Sequence, residues 1–267
     1  MVVPRPDLGA ARRKPVTATF HDLTGASVFI TGGGNGIGAA LTDGFLTQGA
    51  KVAFVGRSDA SAFVDQMAAK HANRPLFIPC DITDTDALQD AIAKAADAHG
   101  PLKALVNNAA NDARHEAATI TPAYWDEMQA VNLKAYFFAC QKAATVMAPQ
   151  GAMINFSSIS YLFGAAGMIG YTTANAGITG MTRSLAREWG PRGIRVNAIA
   201  PGWVFTEKQE TMWATPKTKA AFLERQCLPE PIMPADMVGP VLFLASDASR
   251  MMTGQVMVVD AGVVTTG

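Results

Sequence analysis

The stretch from Gly32 to Gly38 has the composition of a loop that binds a diphosphate. An apolar run over residues 28–31 leads into it, and a helical pattern follows it. Gly32 permits a tight turn, Gly36 lets the backbone approach a pyrophosphate, and Gly38 allows close contact between helix and sheet. The N-terminus of the helix offers free N–H groups to the phosphates. A glycine-rich structural turn is the alternative. The position after the first strand favours a dinucleotide site, with candidate cofactor residues Gly32, Gly34, Asn35, Gly36, Ile37 and Gly38.

The residues just after the second predicted strand are those that contact the adenosine ribose in a dinucleotide site. A carboxylate at this point accepts hydrogen bonds from the ribose 2′-hydroxyl and repels a 2′-phosphate. The sequence instead reads Gly56-Arg57-Ser58, and a guanidinium can hold a phosphate through two parallel hydrogen bonds. The pattern therefore favours NADP over NAD. Stacking of Arg57 on the adenine is the alternative, and Asp59 is a weaker rival carboxylate that we expect to cap a helix.

The elements that must position these residues alternate along almost the whole chain. Continuous apolar runs are typical of parallel strands covered on both faces, and helical patterns separate them. One helix is expected to begin near the capping pattern Thr83-x-x-Asp86. The alternation predicts a single-domain α/β fold, a Rossmann-type doubly wound parallel sheet of about seven strands. This domain covers residues 22–267, after an extension over residues 1–21. The predicted strands are 27–31, 51–55, 76–80, 104–107, 153–157, 195–199 and 256–259.

The composition excludes several classes of protein. The 22 basic and 22 acidic residues give no net charge, so the chain lacks the electrostatic footprint of a nucleic-acid or membrane binder. No apolar run approaches the length of about 18 residues that predicts a membrane span. Residues 1–20 carry basic side chains but no apolar run behind them, unlike a secretory signal. The three scattered cysteines lack CxxC spacing, so we expect a reducing, cytoplasmic setting and no metal site.

Further motifs follow the glycine loop in a fixed order. They are Asp81-Ile82, Asn107-Asn108-Ala109-Ala110, Asn132, Ser157-Ser158, Tyr171 and Pro201-Gly202. In these residues, and over nearly the whole chain, the sequence resembles the short-chain dehydrogenase/reductase family. The resemblance implies hydride transfer between NAD(P) and an alcohol or carbonyl group of a small molecule. Members of this family are commonly tetramers, so it also implies a homotetramer.

The resemblance implies a role for each matching position. Tyr171 would transfer a proton, Ser158 would hydrogen-bond the reacting oxygen, and Asn132 would hold a water relay. Asp81 and Ile82 would hold the adenine, whereas Val204 and Thr206 would anchor the nicotinamide carboxamide. The other positions implied beside the cofactor are Asn108, Ala109, Ala110, Tyr171, Asn175, Pro201 and Gly202.

One position departs from the pattern of the family. A free tyrosine has a pKa of about 10, so roughly one in a thousand is ionised at pH 7. Family members place a lysine one helical turn after the tyrosine, where its charge favours tyrosinate, but here that catalytic position is Asn175. Asparagine brings no charge, so we expect activity lowered about 10²-fold or more near pH 7 and partly recovered at high pH.

Three explanations for Asn175 are open. The residue is an engineered or accidental substitution in an active enzyme, a natural departure with a compensating group nearby, or the mark of a relative that only binds a dinucleotide. The presence of Asn132, Ser158 and Tyr171 makes the last of these the least favoured.

A polar loop follows the fourth predicted strand. Three stretches resemble the aldose 1-dehydrogenase branch of the family, which oxidises pentoses or hexoses to lactones: Asn111-Asp112-Ala113-Arg114-His115, Tyr124-Trp125-Asp126-Glu127 and Gln226-Cys227-Leu228. A polyhydroxylated sugar substrate needs directional polar groups. The candidates are Asn111, Arg114, His115 and Gln209, with Trp203 to pack against a sugar ring.

Other interpretations of the same residues are open. The polar loop can be solvated or form a subunit contact. A keto-sugar-acid reductase or a 3-oxoacyl reductase would share the same catalytic residues, and a non-catalytic dinucleotide-binding relative would share the glycine loop. Residues 206–231 are expected to form a substrate lid that excludes water from hydride transfer.

Overall fold

The computed structural model describes residues 18–265 and contains a sheet of seven parallel strands. Their spatial order is β3-β2-β1-β4-β5-β6-β7, so the order reverses between β1 and β4 as in doubly wound folds. The predicted architecture is confirmed. The predicted extension over residues 1–21 lies outside the described residues apart from residues 18–21. The strands are β1 Ser27–Thr31, β2 Lys51–Gly56, β3 Leu76–Pro79, β4 Leu102–Asn107, β5 Met147–Phe156, β6 Arg195–Pro201 and β7 Val256–Val259.

Helices connect the strands and cover both faces of the sheet. A π-helical segment, Ala130–Lys134, joins two of them, and short 3₁₀ turns occur at His21–Leu23, Ala117–Thr119, Gly190–Arg192, Pro234–Met237 and Asp247–Ser249. The α-helices are α1 Gly36–Thr47, α2 Ser61–Lys70, α3 Thr85–His99, α4 Pro122–Gln129, α5 Ala135–Val146, α6 Ser160–Phe163, α7 Ile169–Trp189, α8 Glu207–Met212, α9 Pro216–Leu223 and α10 Val238–Ala245.

The core lies in two layers, one on each face of the sheet. All of β1 is buried, and its side chains alternate between the layers: Val28 and Ile30 join the layer of α1, α2 and α10, whereas Phe29 joins that of α3, α5 and α7. Each fully buried side chain of this size contributes about 1.5–3 kcal/mol through the hydrophobic effect. The apolar runs therefore hold the sheet central and leave polar residues at its carboxyl edge.

The glycine loop needs glycine at two of the predicted positions. Gly32 has a φ of +70°, in the left-handed region that favours glycine. A Cβ atom on Gly38 would lie 1.9 Å from the carbonyl oxygen of Gly32. Strand, turn and helix can therefore pack this closely only without side chains at these points, as predicted.

The start of α3 differs from the prediction. The helix begins at Thr85, and its cap is Asp84, whose carboxylate accepts a 3.0 Å hydrogen bond from the Ala87 N–H. The predicted cap at Thr83 is wrong because the Thr83 N–H and hydroxyl both donate to Asp81 Oδ1, at 2.9 and 2.8 Å. Thr83 therefore belongs to the turn that fixes Asp81.

A substitution of Gly38 tests the packing of the loop. We expect Gly38→Ala to lower the free energy of unfolding by about 3 kcal/mol, because the new methyl group forces the loop and α1 apart. Gly180→Ala is the control: Gly180 is exposed within α7 and a Cβ there meets no atom within 4 Å. That change should stabilise by up to about 1 kcal/mol. Denaturant unfolding measures both, and equal stability of the two variants would contradict the packing argument.

Candidate active site

The ends of β1 and β4 are tied together at the point where the strand order reverses. The Thr31 hydroxyl accepts hydrogen bonds from the N–H groups of Asn108 and Ala109, at 2.9 and 3.1 Å. The Asn108 amide donates to the carbonyl oxygens of Thr31 and Gly32, at 3.0 and 3.3 Å. Asn108 therefore fixes the glycine loop as well as lining the crevice beside it.

The glycine loop forms a cradle suited to an anion. Asn35, the N-cap of α1, has an extended backbone and makes no side-chain cap. The first N–H groups of a helix have no intrahelical acceptor, and here those of Gly36, Ile37 and Gly38 lie in a first turn without an acidic residue. The helix dipole adds positive potential at this end. The residues present thus fit the diphosphate of a dinucleotide.

The residues predicted at the adenosine end lie at the carboxyl ends of β2 and β3. Arg57 forms a long ion pair, with its Nη1 3.9 Å from Asp81 Oδ2, and its side chain is 80% exposed, so a ligand can still reach the guanidinium. The backbone hydrogen bond from Thr83 is the main cause that lowers the pKa of Asp81. Ile82 is buried beside it. Asp59 accepts hydrogen bonds from the N–H and hydroxyl of Ser61, the first residue of α2, at 3.0 and 2.6 Å, but the N-cap of that helix is Ala60 and not Asp59 as expected.

Tyr171 and Ser158 line the same cavity of about 570 Å³. Tyr171 lies in the first turn of α7, and Ser158 follows β5. Desolvation raises the pKa of Tyr171 to about 12, and the charge of Asp112 adds to this increase, whereas hydrogen bonds with Ser158 and Asn175 oppose it. None of the groups within residues 18–265 that act on this phenol is cationic, so the site favours the neutral phenol.

Asn175 is buried and makes a hydrogen bond within the helix that carries Tyr171. Its amide donates a 2.8 Å hydrogen bond to the carbonyl oxygen of Tyr171. The Ser157 hydroxyl donates to the carbonyl oxygen of Asn175 at 3.0 Å and joins this turn of α7 to the end of β5. The asparagine is accommodated without strain, but it brings no positive charge to the phenol.

Asn132 braces the polar loop after β4. It lies buried in the π-helical segment, where its Oδ1 accepts from the Asn111 N–H at 2.8 Å and its amide donates to the carbonyl oxygens of Asn111 and Met128, at 3.0 and 2.9 Å. Both amide hydrogens are used, so one lone pair of Oδ1 is left for the water predicted there.

The segment after β6 closes the far side of the cavity. Pro201, Gly202, Val204 and Thr206 all line it, together with Ile37 and Ala110. Thr206 caps α8, where its hydroxyl accepts from the Gln209 N–H at 3.2 Å. A Cβ atom on Gly36 would lie 3.1 Å from the Thr206 methyl group. One cavity therefore extends from the glycine loop to Tyr171.

The predicted substrate residues divide into two groups. Arg114, Trp203 and Gln209 line the cavity, whereas Asn111 and His115 are not among its lining residues. Asn111 is paired with Asn132, and the His115 ring packs edge-on against Tyr124 with centroids 4.4 Å apart. Asn111 and His115 therefore hold the polar loop in place, and Asp112 and Arg114 between them line the cavity.

Sequence reasoning missed several lining residues, namely Asp112, Ser160, Phe163, Phe222 and Arg225. Asp112 stands in the polar loop that was singled out, so its carboxylate was the available signal. The others come from α6 and from the end of the lid, where spacing in the sequence does not indicate which side chains meet. Arg225 stacks over the Phe163 ring at 4.5 Å and so connects the lid to the opposite wall.

The chain is similar to known dehydrogenases and reductases over most of its length. A family profile described as enoyl-(acyl carrier protein) reductase matches residues 32–264. A probable galactose dehydrogenase of Rhizobium meliloti is 45% identical over 92% of this chain and 98% of its own. A D-xylose 1-dehydrogenase of Caulobacter vibrioides is 44% identical over the same shares. A short-chain dehydrogenase from Burkholderia cenocepacia, solved in complex with NADP, is 30% identical, with a TM-score of 0.85 over 91% of this chain and 99% of its own.

The chain belongs to the short-chain dehydrogenase/reductase family, as the sequence motifs indicated. It is an oxidoreductase that acts on alcohol or carbonyl groups with a nicotinamide cofactor. Within residues 18–265, no helix is both long and apolar enough to cross a bilayer. Across the same residues, no three His, Cys, Asp or Glu side chains gather as a metal site.

Proposed function

We propose that this protein oxidises the anomeric hydroxyl of an aldose to a lactone with NADP as the hydride acceptor. The observation that carries the proposal is the single cavity that contains Tyr171, Ser158 and the residues beside the glycine loop. The galactose and xylose enzymes support an aldose, because the likeness covers 98% of each of them. The polar and aromatic lining, including Arg114, Gln209 and Trp203, suits a polyhydroxylated ring.

Two side chains handle the hydroxyl group of the substrate. When bound, NADP supplies the nicotinamide carbon that accepts the hydride, so the C–H bond breaks with its electron pair as the carbonyl forms. The phenolate oxygen of Tyr171 takes the hydroxyl proton as general base. The Ser158 hydroxyl, which lines the same cavity and acts on the pKa of that phenol, holds the substrate oxygen against it. Asn132 and Asn175 keep the loop and the helix in place around the reacting groups.

The charge at this site limits the rate near neutral pH. With a pKa of about 12, on the order of one Tyr171 in 10⁵ is ionised at pH 7, about a hundredfold fewer than for a free tyrosine. The base is the deprotonated form, so a raised pKa removes activity at low pH and returns it as the pH rises. Each pH unit below the pKa then changes the active fraction about tenfold.

Arg57 supports NADP as the cofactor. It stands at the end of β2, where the 2′-position of the ribose is expected, and its exposed guanidinium has a free face for a phosphate. Asp81 lies on its other side and is held by Thr83. The NADP complex of the structural neighbour from Burkholderia cenocepacia supports the same choice.

A substrate panel tests the proposed reaction. Reduction of NADP is followed by absorbance with aldoses, polyols and simple secondary alcohols at neutral and alkaline pH, and the product is identified by chromatography. We expect aldoses to give lactones with the highest kcat/KM. Reduction of keto acids or 3-oxoacyl thioesters without oxidation of aldoses would instead favour a reductase. Tight binding of the cofactor without turnover at any pH would identify a binding-only protein.

The pH profile tests the role of Asn175. We expect log kcat to rise with pH throughout the range in which the protein is folded, because Tyr171 deprotonates only near pH 12. Asn175→Lys should raise kcat at pH 7 by about 10² and move the rise to lower pH, because a neighbouring cation lowers the pKa of tyrosine. Thr173→Lys is the matched control, since it adds the same charge at an exposed position of α7. Coincident profiles for wild type and Asn175→Lys would refute this account.

The cofactor preference depends on Arg57. We expect Arg57→Ala to raise the KM for NADP about 10- to 100-fold, as lost hydrogen bonds to a charged phosphate predict, while the KM for NAD changes little. Arg74→Ala, which removes an exposed arginine paired with Asp65, is the control. Steady-state kinetics with both cofactors measure the change. An equal or better kcat/KM with NAD in the wild type would rule out the phosphate-binding role.

A further inference from the structure

Asp112 is a carboxylate in the wall of the catalytic cavity. It belongs to the polar loop after β4 and lines the cavity together with Tyr171 and Ser158. Its side chain is 21% exposed, and its charge acts on the phenol, since it raises the pKa of Tyr171. Nothing in the proton transfer assigned to Tyr171 and Ser158 uses this carboxylate.

Two residues of α8 hold the carboxylate in place. Lys208 Nζ lies 2.7 Å from Asp112 Oδ1, and the Gln209 amide donates to Asp112 Oδ2. Gln209 is itself fixed, because its Oε1 accepts a 2.8 Å hydrogen bond from the Trp203 indole N–H. Burial raises the pKa of Asp112, but the hydrogen bonds and charge of Lys208 and the bond from Gln209 outweigh it, so the net pKa is lowered. Asp112 is therefore an anion with a fixed orientation at neutral pH.

The carboxylate of Asp112 has hydrogen-bond acceptor sites that α8 does not use. A carboxylate offers about four acceptor sites, and α8 uses one on each oxygen of Asp112. Ser160 lines the same cavity, but its hydroxyl oxygen exposes almost no surface to a ligand. The cavity thus presents an anionic acceptor in the same lining as Tyr171 and Ser158.

A purely structural role explains Asp112 poorly. An anion near Tyr171 disfavours tyrosinate, the form that the reaction needs. A neutral acceptor could fix Gln209 without this disadvantage. The ion pair with Lys208 uses the charge at one oxygen, and a ligand can use it at the remaining acceptor sites, because charge-assisted hydrogen bonds are roughly twice as strong as neutral ones.

We propose that Asp112 is a specificity-determining residue that accepts a hydrogen bond from a substrate hydroxyl other than the one oxidised. This assignment rests on the proposed function and deepens it. The same charge repels substrates that carry a carboxylate close to the reacting carbon, so the site selects neutral polyhydroxylated sugars over sugar acids. Lys208, paired with Asp112 Oδ1, offsets part of this repulsion, whereas the two arginines of the lining add little to that offset. Both are exposed, and they stack over Trp213 at 4.4 Å and Phe163 at 4.5 Å where the lid meets the walls.

The test centres on two variants of the NADP-loaded enzyme, with Asp112→Glu as a further variant that keeps the charge. Asp112→Asn removes the charge but keeps the shape and one acceptor oxygen, and Lys208→Met removes the exposed outer partner, which does not line the cavity. The substrates are the aldose that the wild type uses best, its singly deoxygenated analogues and the matching uronic acid. Thermal melting and NADP binding verify that both variants are folded.

We expect Asp112→Asn to lower kcat/KM for the aldose by about 10- to 100-fold, mainly through KM, as the loss of a charge-assisted hydrogen bond predicts. For the deoxy analogue that lacks the bonded hydroxyl, wild type and variant should become alike. The preference for the aldose over the uronic acid should fall by a similar factor. Lys208→Met removes the cation paired with Asp112 but leaves the carboxylate, so the preference for the aldose over the uronic acid should be kept or increased. Asp112→Glu, which keeps the charge, should retain the discrimination against the uronic acid.

An equal loss of kcat/KM on every substrate, in both Asp112→Asn and Lys208→Met, would overturn the assignment. Asp112 would then only hold the lid in place. Failure of the proposed function looks different: the wild type then oxidises no aldose at any pH. In that case the same variants are compared on a vicinal diol and its monoalcohol, or by calorimetric binding of aldose and deoxy analogue to the NADP-loaded protein. An unchanged diol preference, or unchanged discrimination in binding, would likewise reject the role of Asp112.

Discussion

The hydrogen bonds between the ends of β1 and β4 are the constraint on which the site depends. Thr31 and Asn108 are far apart in sequence, yet four hydrogen bonds join them and their neighbours where the order of the strands reverses. This link fixes the glycine loop on one side and the start of the polar loop on the other. The phosphate cradle and the substrate loop are therefore held in register by the same few atoms, and neither can shift without the other.

The electrostatics of the cavity separates two tasks that compete. Proton abstraction by Tyr171 is favoured by positive charge, whereas recognition of a polyhydroxylated ring is favoured by a fixed anion. In this chain both choices raise the pKa of Tyr171 and so lower the fraction that is ionised at neutral pH: Asn175 supplies no cation, and Asp112 supplies an anion. A hemiacetal hydroxyl is more acidic than that of an ordinary secondary alcohol, so a weakly ionised tyrosine is less of a handicap for an aldose than for a simple alcohol. The charge pattern and the proposed substrate thus agree.

The strands and the glycine loop could be predicted because their signals are local. Apolar runs of strand length and glycine at Gly32 and Gly38 follow from backbone geometry and burial, and the sheet confirmed them. The cap of α3 could not be placed, because Thr83 and Asp84 are both good caps and only the tertiary position of Asp81 decides between them. β5 begins earlier than predicted, at Met147, since residues 147–150 extend it as an irregular, partly exposed segment. The homotetramer stays a prediction, because a single chain does not test it.

The substrate residues were the hardest to predict, and the reason is geometric. Neighbouring residues of the polar loop make different contacts. Asn111 is hydrogen-bonded to Asn132 and the His115 ring packs against Tyr124, whereas Asp112 and Arg114 line the cavity. Asp112 is fixed in the cavity wall by α8, nearly a hundred residues later in the chain, because Lys208 and Gln209 bind its two oxygens. The chemistry of the reaction is encoded in motifs within one strand end or helix turn. Specificity instead arises where two distant segments meet, so a change in the lid can alter the substrate without touching Tyr171.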